Sequence, residues 1–140
     1  MTSPIHSSIV LGIMAAALSL PSQAADKKTP DLLGNWTGRG IQFEDGQKAQ
    51  GQFSAWDISV TFGPSSVTIG YPTLNCGGVW KQEQSLPHGT YYRETITFGL
   101  ENCIDQGLVV TSPMDDGRMR LEYYYPDNVF IAIGYVSKGM

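Results

Sequence analysis

The sequence predicts an all-β domain: an eight-stranded antiparallel up-and-down barrel, with a two-sheet β-sandwich as the alternative. Three observations carry the prediction. Short segments alternate apolar and polar residues with the period of a strand. Gly, Pro, Asn and Asp cluster between those segments, where turns need them. Beyond residue 24, apolar residues nowhere recur at helical spacing over three turns. A meander of eight strands must hide its edges, and pairing the last strand with the first removes them.

The chain of 140 residues reads as one domain behind a leader. Residues 9–20, IVLGIMAAALSL, form an apolar run too short to span a bilayer. Ser22 and Ala24 then place small side chains where a signal peptidase cuts. Residues 1–24 are read as a secretory signal peptide, 25–32 as a flexible leader and 33–140 as the barrel domain. No cysteine follows the cleavage point directly, so no lipid anchor is expected. The expected location is periplasmic or secreted, with no membrane anchor left after cleavage.

The first strand is read over 33–43, where Gly34, Gly38 and Gly40 suit a sharply coiled wall. A polar loop follows at 44–50. In Phe53–Phe62, Trp56, Ile58, Val60 and Phe62 share one face, opposite Ala55, Asp57, Ser59 and Thr61. Gly63-Pro64-Ser65-Ser66 turns the chain into Val67–Tyr71, with Val67, Ile69 and Tyr71 inward. Pro72 and Thr73 break that strand. The fourth runs over 75–82 with Trp80 as its anchor, and 85–89 is a loop. The fifth, 90–98, places Tyr92, Glu94, Ile96 and Phe98 on the inner face. The sixth is 108–112, and Asp115-Asp116-Gly117 signals a tight hairpin. In 118–125, Met119, Leu121, Tyr123 and Tyr125 oppose Arg118, Arg120, Glu122 and Tyr124. After a turn at Pro126-Asp127-Asn128, 129–136 is an eighth strand, apolar on both faces. With Trp36, Trp56, Trp80, Phe62, Phe98 and the tyrosines inside, the interior is expected to be filled.

Two cysteines in a secreted chain are read as paired, so Cys76 and Cys103 are expected to form a disulfide joining the outer ends of two strands. Thirteen acidic and nine basic residues give a net charge of −4. That balance argues against nucleic acid, which requires a basic stripe.

Tyr71-Pro72-Thr73-Leu74-Asn75-Cys76-Gly77-Gly78, followed by Glu94-Thr95-Ile96-Thr97-Phe98-Gly99, Cys103 and Gly107, resembles a small, largely uncharacterised secreted bacterial domain. That module is sometimes found outside the membrane behind a serine/threonine kinase. The resemblance spans about half of the chain beyond the leader and implies no activity; Trp80 departs from it, an aliphatic residue being usual there. Gly34-Asn35-Trp36 is similar to the Gly-x-Trp that opens lipocalin-type barrels, which implies a lipocalin- or avidin-like barrel whose floor Trp36 closes.

Catalytic signals are thin. Beyond the leader the one histidine is His88, in a Pro-Gly loop, with Ser85 only a loop neighbour and no Gly-x-Ser-x-Gly. A zinc site needs three or four ligands, which one histidine and two paired cysteines do not supply. Gly77-Gly78 lies in a strand pattern, not ahead of a helix, so no phosphate loop is read. No metal, cofactor or enzymatic activity is expected.

Glu94 is the residue that stands out, because strand periodicity puts its carboxylate on the apolar face. A buried carboxylate must be hydrogen-bonded or paired, or else become neutral. One reading has it accept hydrogen bonds from backbone amides near Gly77-Gly78, a Tyr hydroxyl or a Trp indole. The other makes it a lumen carboxylate that orients a ligand. Tyr123, Tyr124 and Tyr125, with Tyr91 and Tyr92, form either core and cover or an exposed contact patch. The binding candidates are Glu94, Tyr92, Tyr123, Tyr124, Tyr125 and His88. The expected function is a non-catalytic periplasmic or secreted binding module, as an inhibitor of a secreted hydrolase such as a lysozyme. Its contact loops would be 44–50, 85–89 and 115–117, and its partner a protein or small ligand. The alternative is a carrier of a small apolar ligand or an extracytoplasmic sensor.

Overall fold

The computed structural model describes residues 31–43 and 53–139. The expected signal peptide at 1–24, most of the leader and the loop at 44–50 lie outside the described residues. Eight strands follow in chain order: β1 (Gly34–Phe43), β2 (Phe53–Phe62), β3 (Val67–Tyr71), β4 (Cys76–Leu86), β5 (Gly89–Phe98), β6 (Leu108–Pro113), β7 (Met119–Tyr124) and β8 (Phe130–Lys138). Each pairs antiparallel with the next, and β8 returns to β1 from Trp36↔Lys138 to Gln42↔Ala132, closing the barrel. The up-and-down barrel is the fold, and the sandwich is excluded.

The register explains the interior. Alternate residues of each strand point inward, and those positions carry Trp36, Trp56, Ile58, Val60, Phe62, Ile69, Trp80, Tyr92, Ile96, Val109, Met119, Leu121, Tyr123 and Val136, all buried. Burying each large apolar side chain contributes roughly 1.5–3 kcal/mol. A Cβ on Gly40 would lie 2.5 Å from the Trp56 ring, so glycine makes the space that the indole occupies.

The two ends of the barrel differ. At the end formed by Gly34, Phe62, Val67 and Lys138, Phe62 and Trp80 meet with ring centroids 6.3 Å apart, and Trp80 and Tyr92 at 5.4 Å. Trp36 lies in the same core, and its indole N–H donates to the Leu32 carbonyl at 2.9 Å. That bond ties the segment ahead of β1 to the buried Trp36. At the opposite end a 3-10 turn, Pro72–Leu74, joins β3 to β4, with Asn75 in the left-handed region at φ 53°. The 99–107 loop folds over the same end.

Cys76 and Cys103 are bonded, with Cα atoms 6.3 Å apart and a separation of 27 positions in sequence. The bridge pins the 99–107 loop to the start of β4. Closing a loop of that length stabilises by about 3–4 kcal/mol in the chain-entropy picture. Gly99 opens the loop at φ +69°, and a Cβ there would run into the Asn75 carbonyl. Asp105 fastens the loop by accepting the Ile96 backbone N–H at 2.9 Å.

Three expectations need correction. Phe98 does not join the interior: it is 58% exposed. The β4–β5 register skips Thr97 between Gly77↔Phe98 and Gly78↔Ile96, and this bulge turns Phe98 outward to lie over Gly77. The fourth strand does not end at residue 82. It runs to Leu86 because a second bulge skips Glu83, and the expected loop at 85–89 shrinks to a turn at Pro87 and His88. Nor is the interior filled throughout, since the end that Phe98 leaves contains a cavity.

Candidate ligand-binding site

The cavity is a cup of about 250 Å³ set in the open end of the barrel. Inward side chains of six strands make its wall: Trp56 from β2, Tyr71 from β3, Glu94 from β5, Val109 from β6, Tyr123 from β7 and Ala132 from β8. Its rim is Gln42, Ser54, Leu74, Asn102, Cys103, Ile104, Gly107, Leu108 and Ile131. The disulfide therefore shapes the rim directly. So does a third irregularity: the β7–β8 register passes from Tyr123↔Ala132 to Tyr124↔Phe130, skipping Ile131, which lines the cup.

Glu94 lies in this wall and is 5% exposed. Its backbone is held on both sides, since its N–H donates to the Gly107 carbonyl at 2.9 Å and its carbonyl accepts from Gln106 N–H at 2.8 Å. The side chain is aimed by two donors on one oxygen. The Tyr71 hydroxyl donates to Glu94 Oε2 at 2.5 Å, and the Trp80 indole N–H donates to the same atom at 2.6 Å. Trp80 sits directly across the strand pair from Glu94. With its own proton committed to Glu94, the Tyr71 oxygen accepts from the Tyr123 hydroxyl at 3.3 Å. The Tyr123 ring in turn packs edge-on against Trp56, at 6.0 Å between centroids.

Glu94 Oε1 is different. No donor meets it among the described residues. Every described side-chain oxygen sealed from solvent has a hydrogen-bond partner. Oε1 is therefore not sealed, and Glu94 is one of the residues that line the cup. Burial raises the Glu94 pKa above the ordinary carboxylate range, and Asp105 adds to that; the Tyr71 and Trp80 hydrogen bonds oppose it. Burial likewise raises both phenols, Tyr71 helped by the charges of Tyr123 and Glu94, and Tyr123 by that of Glu94. No Lys or Arg lines the cup among the described residues, and no group of three or more His, Cys, Asp or Glu could hold a metal there or elsewhere among them.

Of the residues singled out in sequence, Glu94 and Tyr123 stand in the wall of the cup, and Tyr124 only borders it. Tyr92 points inward but belongs to the aromatic plug at the other end. Tyr124 is on the outer wall, its hydroxyl donating to Glu122 at 2.5 Å and its ring packed edge-on with Phe130 at 5.6 Å. Tyr125 lies in the turn after β7, and His88 in the β4–β5 turn, against Tyr91 at 6.4 Å. The five tyrosines do not form one patch. The loops at 87–88 and 115–117 lie at the plugged end, and the loop at 44–50 is outside the described residues.

Sequence reasoning missed Tyr71, Trp80 and Trp56 as members of the site. The alternation already faced Tyr71 inward, and Trp80 was the noted departure from the resembled pattern. Of the Glu94 partners weighed, the Tyr hydroxyl and Trp indole are the ones present, and backbone amides of Gly77-Gly78 are not. Comparison with protein-family models, with curated proteins and with solved structures finds no match to this chain. Function is therefore argued from the site.

Proposed function

We propose that this chain is a non-catalytic binding module, acting in the periplasm or outside the cell, that takes a small, largely apolar ligand in the cup at the open end of its barrel. The observation that carries the reading is a buried carboxylate in the lining of a largely apolar cavity, one oxygen held by two donors and the other without a donor among the described residues. Small-molecule sites are built this way, with an apolar lining and a few fixed polar groups. An eight-stranded barrel has the diameter to hold one small ligand. The disulfide suits an oxidising compartment, in keeping with the leader read in the sequence.

Catalysis would need a reactive partner beside Glu94. Its neighbours in the wall are two phenols raised above their ordinary range, which keep their protons at neutral pH. Inhibition of a hydrolase by the loops at 87–88 and 115–117 would use the end away from the cup, and the cup gives that reading no support. The test is fluorine NMR with para-fluorotoluene as a neutral apolar probe. Its signal is expected to broaden on adding the protein and to stay sharp with Ala132→Leu, whose longer side chain occupies the cup. Equal broadening with both proteins would place the probe elsewhere and remove the reading.

A further inference from the structure

We infer that the cup is built for a small amphiphile with an apolar, aromatic-sized body and a protonated amine at one end, the ammonium seated on Glu94 Oε1. The inference rests on the binding-module reading and adds the chemical class of the ligand.

Geometry carries it first. Oε2 is already occupied, by Tyr71 at 2.5 Å and Trp80 at 2.6 Å, so the position of the carboxylate is set before any ligand arrives. Oε1 has no donor among the described residues and is not sealed, and Glu94 lines the cup. An ionised carboxylate only accepts hydrogen bonds, so its complement is a donor. A cationic donor makes a bond roughly twice as strong as a neutral one.

The charge distribution favours the same class. Groups facing Glu94 are the neutral hydroxyls of Tyr71 on β3 and Tyr123 on β7, the Trp80 indole on β4, and Asp105 on the 99–107 loop, which is also acidic. An ionised Glu94 thus has no counter-ion among the described residues lining the cup. Buried charges are ordinarily paired, and an ammonium supplies the pair. A ligand carboxylate would meet repulsion. Trp56, Tyr71 and Tyr123 also give the wall aromatic rings, which attract cations. A dry cavity of about 150 Å³ takes benzene, so a cup of about 250 Å³ has room for one ring with a short side chain.

The experiment uses the disulfide-bonded protein and three probes of one shape: para-fluorophenethylamine, the matching alcohol and para-fluorophenylacetate. Affinities are read by fluorine NMR titration near neutral pH, beside the para-fluorotoluene control. The amine is expected to bind about tenfold tighter than the alcohol, and the acid weakest. In Glu94→Gln the amine's advantage over the alcohol is expected to vanish. In the native protein the amine's affinity is expected to fall as acid protonates Glu94, the alcohol's staying level. If Glu94→Gln does not fold, the probe ranking and the pH series on the native protein decide. Amine and alcohol within about threefold of each other, with para-fluorotoluene bound, would overturn the ligand class and leave the cup. Tightest binding by the acid would do the same. No binding by any probe at millimolar concentration would overturn both readings together.

Discussion

Glu94 has a consequence for stability as well as for binding. Its pKa is raised in the folded chain because burial disfavours the charged form. Between its unfolded and folded values the native state therefore binds more protons than the unfolded one. The contribution to stability is fully present below the ordinary carboxylate range and is lost as pH rises through the folded value. Each pH unit by which burial raises it corresponds to about 1.4 kcal/mol. Thermal melts from about pH 4 to about pH 8 are expected to show the native protein losing stability relative to Glu94→Gln as pH rises; parallel curves would contradict this. Tyr71→Phe is expected to cost about 1–3 kcal/mol in urea unfolding, since it strips Glu94 of one donor and leaves the buried Tyr123 hydroxyl without its acceptor. Tyr124 offers a spectroscopic check on the outer wall. Its hydroxyl donates to Glu122, which pushes its pKa to about 12. An alkaline absorbance titration of Glu122→Gln is expected to move one tyrosine back towards about 10.

Strands are where the sequence was easiest to read and where its limits show. The alternation in β2 and β3 identifies their bounds and inward faces, because both strands pair without interruption. In β5 the same alternation succeeds through Ile96 and fails at Phe98, because one skipped residue reverses every side chain beyond it. Thr97, Glu83 and Ile131 are the skipped residues, and nothing in their side chains announces it. Half of the site was visible for the same reason. Glu94 is conspicuous as a charge on an apolar face, whereas Tyr71 and Trp80 look like ordinary core, and only the barrel's curvature brings Tyr71 to the carboxylate. The cup itself was hidden, since the alternation counted Phe98 among the side chains filling the interior, whereas it is exposed. Glycine in β1 gives a test at this scale. Gly40→Ala would press a methyl against the Trp56 ring at 2.5 Å, and that residue also lines the cup. Such overpacking is expected to cost about 1–3 kcal/mol and to shift Trp56 fluorescence. An unchanged spectrum with unchanged stability would mean that the wall yields instead.

At the scale of the whole molecule, the two ends of the barrel are stabilised by different means. The plugged end is held by packed rings and by the Trp36 bond to the Leu32 carbonyl. The open end gives up part of its packing to the cup, and there the Cys76–Cys103 bridge holds the 99–107 loop in place. Local opening concentrates where buried apolar contacts are few. Removing the bridge should therefore affect the ends unequally. The double variant Cys76→Ser, Cys103→Ser is expected to lose about 3–4 kcal/mol of global stability. Amide exchange is expected to accelerate beyond that global loss at Ile96, Glu94 and Gln106, whose N–H groups join β5 to the bridged loop. The strand amides around Trp36 and Phe62 should follow the global change alone. Binding of an amine probe should weaken more than stability does, because Cys103 and Ile104 form the rim and the loop fixes the backbone of Glu94. Uniform acceleration at both ends, with probe affinity unchanged, would mean that the barrel opens as one unit and that the bridge has no part in shaping the cup.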